Sequence, residues 1–307
     1  HAANPDDHVF EVTADYVNIS GFTVEGAASY HYSVAGIYLY YADYCNISNN
    51  NISNNYLGIY LYGSSNSTVS SNNIVLSNNG DGINLIDSNN NLIESNIVSN
   101  NNANGIDLWG SNNNIITNNT VSNNDGEGIF LGNSSNNIIR DNIVSLNSRN
   151  GIDLQGSSNN NIQNNKVSEN DDGIIIWLSS NSNNITNNSV SNNNHLGICL
   201  SRSSNNNIVK TNLISNNNDI GIQLWGSSNN NLIYLNNFIN NRYYNGHSSG
   251  SANIWNSTSE ITYIYNGNTF KNYLGNYWDD YTGSDANGDG IGDAPYSING
   301  DKDYYPL

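Results

Sequence analysis

Methionine is absent from this 307-residue chain, cysteine occurs twice, proline three times, and lysine and arginine together only eight times. Two cysteines, Cys45 and Cys199, cannot form a disulfide framework in a chain this long. With eight basic residues against 26 acidic ones, the net charge is −18, which disfavours nucleic acid or an anionic membrane as partner. No stretch approaches the roughly 20 apolar residues of a membrane span, so no transmembrane segment is expected. The opening HAANPDDHVF contains no signal-peptide pattern, and any such segment is expected to have been removed or to lie outside this sequence. Charged residues make up 11%, against about 25% in an average chain. Apolar residues make up 36%, too few for the thick core of an ordinary two-layer globule. Disorder fits no better, because 21 Tyr, 5 Trp and many Ile and Leu recur on a fixed schedule.

What the chain has instead is asparagine, 72 of 307 residues, arranged in a repeat. A small aliphatic residue follows an Asn pair at Ile52, Val75, Val98, Val121, Val144, Val167, Val190, Ile214 and Ile239, at intervals of 23 six times, then 24, then 25. Asn itself recurs at 50, 73, 96, 119, 142, 165, 188, 212 and 237. A second ruler runs through GIYLY at Gly36 and Gly58, GINLI at Gly82, GIDLW at Gly105, and on to GIQLW at Gly221. In G-I-x-L-x, Ile and Leu alternate with variable residues, the period-2 signature of a strand with one buried face. Ser, Asn and Gly runs between the apolar pulses favour turns, and nothing shows a period of 3.6.

Three short strands per turn of about 23 residues describe an all-β, right-handed parallel β-helix of roughly ten turns. Each turn is expected to bury about four aliphatic side chains, worth roughly 6–12 kcal/mol gross, and the thin core is sustained because neighbouring turns continue it. The recurring Asn is expected to form an inward hydrogen-bonded ladder. The recurring Gly is expected at a tight corner before each strand. The pattern loosens after Ile239, placing a boundary near residue 250: repeats over 1–250, and an aromatic and acidic C-terminal cap over 251–307.

Three features carry candidate chemistry. In DANGDGIGD, Asp285, Asn287, Asp289 and Asp293 with the Ile291 carbonyl take the alternating positions of a calcium loop, and Gly290 supplies its sharp bend. Position 12 is Tyr296, so the usual bidentate Glu is missing. Seven acids fall within residues 279–303, against 19 in the rest of the chain. The outward face of the G-I-x-L-x strand presents Tyr38, Tyr40, Tyr60, Tyr62, Asp107, Trp109, Phe130, Asp153, Trp177 and Trp225, with Asn84, Ile86, Gln155, Ile175, Cys199 and Gln223 between them. Such a stripe suits stacking of sugar rings or contact with another subunit. Asp107 and Asp153 fall two turns apart, within the span glycosidase carboxylates use, but no basic residue is grouped with them in sequence. Nine N-x-S/T sequons, at Asn18, Asn46, Asn51, Asn66, Asn118, Asn133, Asn184, Asn187 and Asn256, permit glycosylation. The histidines at 1, 8, 31, 195 and 247 show no metal-ligand spacing, and without Met or a Cys/His pair a copper site has little to be built from.

The repeats, and above all LGNYWDDYTGSDANGDGIGDAPYSINGDKDYYPL, resemble the NosD-like β-helix family of surface or periplasmic proteins, abundant in methanogenic archaea. These are often described as copper-binding or as carbohydrate-binding and sugar-hydrolase domains. The resemblance implies an exported β-helix lacking a turn or more before HVFEV. The reading is an extracellular or cell-surface structural or adhesive protein, calcium-stabilised and self-associating through its open N-terminal edge or aromatic stripe. The alternative is a polysaccharide-binding or polysaccharide-cleaving β-helix; enzyme activity is not expected. Cys45 and Cys199, about seven turns apart, are too distant to pair and are expected to be free thiols or bonds to other chains, with Cys199 exposed.

Overall fold

A computed structural model describes residues 1–29 and 34–307; His31 lies outside them. The chain winds as a right-handed parallel β-solenoid of about ten turns, about 23 residues apart. Among the described residues there are three long parallel sheets, of 11, 10 and 11 strands. The first runs from Phe10–Val12 to Tyr244–Ser249, the second from Asn18–Ser20 to Leu232–Tyr234, and the third from Thr23–Val24 to Tyr277–Trp278. No helix is present among the described residues, and so none long and apolar enough to cross a membrane.

Register does not slip along the first sheet. Ile83, Ile106, Ile129 and Ile152 stack in one column and Leu85, Leu108, Leu131 and Leu154 in another. All eight are fully buried. The period-2 alternation therefore builds the core directly, each turn adding the same side chains to the same columns.

The asparagine ladder is inward, as expected, and its chemistry explains the composition. The Asn96 backbone N–H and Nδ2 both donate to Asn119 Oδ1, at 3.0 and 3.1 Å. Asn119 donates in the same way to Asn142 Oδ1, at 2.9 and 3.1 Å, and its Nδ2 also donates to the Ile93 carbonyl at 2.9 Å. At a corner the backbone turns away from its own ladder, and the side-chain amide supplies the missing peptide group. Two further asparagine columns, through Asn101 and Asn124 and through Asn137 and Asn160, do the same work, as does a serine column through Ser111 and Ser134. The residue before many rungs is left-handed: Asn118 (φ 55°), Asn164 (φ 56°) and Asn187 (φ 56°). Asn tolerates that region better than other residues with a Cβ.

Two expectations need correction. The late rung is Asn236 rather than the exposed Asn237, and Phe238 rather than Ile239 continues the aliphatic column opposite Ile214. The ladder then ends 40 residues on, where Asn236 Nδ2 donates to Asn276 Oδ1 at 2.9 Å. Six of the repeated glycines stand at the expected bend immediately before a strand (Gly82, Gly105, Gly128, Gly151, Gly173 and Gly197), and three do not. Gly36 and Gly58 lie inside strands Ala35–Tyr40 and Leu57–Tyr62, without positive φ. Glycine is required by close approach in both settings. A Cβ on Gly151 would stand 2.8 Å from Asn170 Nδ2 and 2.9 Å from the Gly173 carbonyl oxygen.

Beyond the last repeat, rings extend the core column. Trp278 stacks between Phe238 and Tyr296, at 4.4 and 4.2 Å between centroids. Buried Asp303 accepts from the Asn276 backbone N–H at 2.7 Å and from Trp278 Nε1 at 3.0 Å. Two antiparallel hairpins complete the segment, Ile261–Tyr265 with Asn268–Asn272 and Tyr296–Ile298 with Asp301–Asp303.

Candidate functional site

The outward side chains of the first sheet align as the repeat predicts. Asn84, Asp107, Phe130, Asp153, Ile175, Cys199 and Gln223 form one column through successive register pairs. Beside it run Tyr62, Ile86, Trp109, Gly132, Gln155 and Trp177. Asp107 and Asp153 are two turns apart with Phe130 between them.

The stripe is not uniformly exposed, however. Asp153 is 2% exposed, Cys199 4% and Ile175 9%, whereas Tyr40, Trp109 and Trp225 remain at 40–45%. Residues just before each strand fold over the first column: Asn104 Nδ2 donates to Asp107 Oδ2 at 2.7 Å, and Asn150 Nδ2 to Asp153 Oδ2 at 2.6 Å. Cys199 is therefore a buried thiol, pushed up to about 12 by burial, and not an exposed one. Cys45 is buried as well.

Most rings also spend their faces on one another. His8 stacks on Tyr38 at 4.3 Å, Tyr38 on Tyr60 at 4.9 Å, Tyr40 on Tyr62 at 5.9 Å and Trp109 on Phe130 at 6.1 Å. A sugar ring cannot enter these stacks and meets only ring edges. The second column is interrupted after Trp177, where the next turn carries Ser201 and the one after it Trp225. Two turns at about 4.8 Å each set the two backbone positions close to 10 Å apart; between them Ser201 is buried and the Arg202 side chain lies over Trp177. A groove of about 550 Å³ opens here, lined chiefly by Asp153, Asp172, Trp177, Arg202, Gln223 and Trp225.

Each wall of this groove has a local cause. Trp177 is fixed by its Nε1, which donates to Asp153 Oδ1 at 2.8 Å. Arg202 takes the left-handed corner (φ 50°) that Gly156 and Gly226 fill in other turns. From there its guanidinium lies 4.7 Å from the Trp177 ring centroid. A basic residue is thus grouped with the carboxylates after all. Sequence spacing conceals it, because Arg202 comes from a corner rather than from the strand. The sequence signal was the small Ser201 between Trp177 and Trp225, in a column that also holds the small Gly132.

The acids of this face sit in low-dielectric surroundings. Burial pushes Asp153 up to about 7, against the hydrogen bonds from Asn150 and Trp177. Asp107 is pushed up to about 8, first by burial and then by the neighbouring Asp81 carboxylate. Asp172 is raised by burial, opposed mainly by the Leu196 N–H donated at 2.7 Å. Both Asp153 oxygens are already engaged, so it positions Trp177 rather than facing a ligand.

The acidic C-terminal loop is wound around Asp285. Its Oδ1 accepts from the N–H of Gly288 at 2.8 Å and of Asp289 at 3.1 Å, and its Oδ2 from that of Gly290 at 2.9 Å. Asn287 Oδ1 accepts from the Asp289 N–H and Asp289 Oδ1 from the Ile291 N–H, while Asp293 Oδ2 braces Ser284 and Ala286. Gly288 and Gly290 are left-handed, at φ 72° and 87°. The sequons lie at the surface or half-covered. Four of their asparagines (Asn66, Asn118, Asn133 and Asn187) are left-handed corner residues.

Comparison with known proteins places this architecture. The family model described as "Periplasmic copper-binding protein (NosD)" matches residues 123–283, more than half of the chain. The chain belongs to the NosD family. A second model, "Right handed beta helix region", matches residues 35–189. Copper, named in the NosD description, does not fit the donors present. Methionine is absent, both cysteines are buried, and no three His, Cys, Asp or Glu side chains converge as a metal site among the described residues. The described histidines are dispersed, His1 against Glu25, His8 on Tyr38, His195 against Asp171 and His247 against Asn299.

No curated protein matches this NosD-family sequence significantly. Among solved structures it is similar to the mannuronan C-5 epimerase AlgE6 A-module of Azotobacter vinelandii, with 17% identity and a TM-score of 0.66, over 79% of this chain and 77% of that one. The AlgE4 A-module of the same organism gives 15% and 0.56, over 81% and 86%. A DFA-IIIase from Arthrobacter chlorophenolicus gives 13% and 0.54, over 70% and 61%. These likenesses concern the fold.

Proposed function

We propose that this chain is an exported polysaccharide-binding β-helix whose binding site is the slot between Trp177 and Trp225. The observation that carries the reading is the break in the aromatic column at Ser201. It leaves the Trp225 indole and the Arg202-covered Trp177 indole at one groove with a carboxylate and an amide, a combination that suits the C–H face and the hydroxyls of a sugar ring. The polysaccharide-acting enzymes among its structural neighbours favour this reading over a purely structural role. Binding rather than cleavage is proposed because Asp153, the acid best tuned for proton donation, has no free oxygen.

Calorimetric titration with a panel of oligosaccharides tests it. Trp177→Ala and Trp225→Ala are each expected to weaken the best ligand at least tenfold, with melting temperatures little changed. Undiminished binding in both variants would remove the slot from consideration. The self-associating, adhesive reading draws on the apolar hollow of about 400 Å³ around Phe10, Val17 and Phe22 at the first turn. It predicts oligomers in sedimentation at high concentration, where the binding reading needs none.

Calcium belongs to the same proposal, as a stabiliser of the loop at Asp285, Asn287, Asp289, Ile291 and Asp293. Its support is the ligand spacing together with left-handed Gly288 and Gly290. Excess chelator is expected to lower the melting temperature and loosen residues 275–307. An ion bound only to the folded state contributes about 2.7 kcal/mol at a hundredfold excess over its Kd. Superimposable melting curves with calcium and with chelator would refute the calcium assignment.

A further inference from the structure

The charges around the slot go further than the general carbohydrate reading and choose among glycans. We infer that the slot accepts a neutral sugar unit and rejects a uronate; the inference rests on the polysaccharide-binding reading. Asp153 forms its floor and Asp172 part of its wall. The Asp171 and Asp219 carboxylates both add to the negative field at Asp172. Against these acids the groove lining holds a single cation, Arg202, whose guanidinium is already spread over Trp177. His195, the other nearby base, is engaged by Asp171 at 2.9 Å. Arg149 reaches toward Glu127 at 3.6 Å, and Arg242 donates to Asn218 and lies over Tyr243. Only Arg202, through its in-plane N–H groups, is placed to grip a sugar carboxylate, and the acids around it outnumber it.

The net charge of −18 adds a long-range field of the same sign. A neutral pyranose or furanose ring meets no such penalty. Its apolar face lies on indole, and its hydroxyls donate to Asp172 and exchange hydrogen bonds with Gln223. Specificity here comes from repulsion of the wrong ligand as much as from attraction of the right one.

The test is titration of the full chain, in calcium-free buffer of low ionic strength at pH 7, with two sets of oligosaccharides. One set is neutral (gluco-, manno- and fructo-oligosaccharides) and the other consists of oligomannuronate and oligogalacturonate. The expected result is that a neutral ligand binds at least tenfold more tightly than either oligouronate. Added salt should narrow the gap by screening the repulsion. Asp172→Asn keeps the acceptor for the Leu196 N–H and removes the charge. It should strengthen oligouronate binding severalfold without strengthening neutral binding, so that the preference narrows. If that variant fails to fold, the wild-type pH profile serves instead: oligouronate binding should weaken between pH 6 and 8 as Asp153 in the groove lining ionises. Oligouronates bound as tightly as neutral ligands, or a preference unmoved by salt, would overturn the inference and leave the carbohydrate reading standing. Failure of both sets to bind would overturn the carbohydrate reading itself.

Discussion

Asn119→Leu is expected to destabilise the solenoid by on the order of 3–5 kcal/mol, and Asn113→Leu by only about 1 kcal/mol. The two asparagines are six positions apart in one turn, yet they do different work. Asn119 Oδ1 accepts from both the backbone N–H and the side-chain Nδ2 of Asn96, and its own Nδ2 donates to Asn142 Oδ1 and to the Ile93 carbonyl. Leucine strands the buried Asn96 backbone N–H and removes a donor from the Ile93 carbonyl, at about 1–3 kcal/mol for each unsatisfied group. Asn96 Nδ2 keeps the Val69 carbonyl, and Asn142 Oδ1 keeps the backbone N–H of residue 119. Asn113 is exposed and left-handed (φ 59°), so leucine there costs mainly backbone strain. Urea unfolding of both variants beside the wild type measures the difference. Equal shifts in midpoint would mean that the asparagine column contributes no more than a surface corner.

The second large effect is on pH. The folded chain holds Asp107 up to about 8, Asp153 up to about 7 and Asp303 up to about 6. In the unfolded chain each should titrate near the ordinary value of about 3.9. Between those limits the native state binds more protons than the unfolded state, so stability falls as pH rises. The part of stability due to these acids is fully present below about pH 4 and is lost progressively up to about pH 8. A melting temperature several degrees higher at pH 5 than at pH 8 is expected, equivalent to a change on the order of 2–4 kcal/mol. Asn84 Oδ1 supplies a structural reason for a protonated neighbour: it is buried without a donor, and its register partner is Asp107. Asp107→Asn should therefore flatten the profile. A wild-type melting temperature that rises toward pH 8 would contradict the assignment.

The solenoid was legible because its demands repeat. Each turn places Ile and Leu in the same inward columns and Asn at the same corner, so two spacings suffice to identify strands and register. What was misread is non-periodic or depends on the neighbouring turn. Gly151 bends before its strand as expected, but the Gly173 carbonyl one turn on adds a close approach that no local turn rule contains. Asn236 was passed over for Asn237 because both belong to an Asn pair, and the Asn276 rung returns only after the chain has left to form a hairpin. The aromatic stripe could be aligned from sequence, but not the use its rings make of each other. The slot depends on one small residue, Ser201, and on a corner arginine leaning back over Trp177. Both are single departures from the repeat, and periodicity averages them away.

The central claim concerns where a glycan sits, and the five tryptophans offer a direct reading. Indole N–H resonances of Trp109, Trp177, Trp225, Trp255 and Trp278 can be followed during titration with a neutral oligosaccharide. Trp177 and Trp225 flank the slot, whereas Trp255 and Trp278 are each 1% exposed beyond the last repeat. Saturable shifts at Trp177 and Trp225, with Trp255 and Trp278 unmoved, are the predicted result. Saturable binding that leaves Trp177 and Trp225 unshifted would contradict the account.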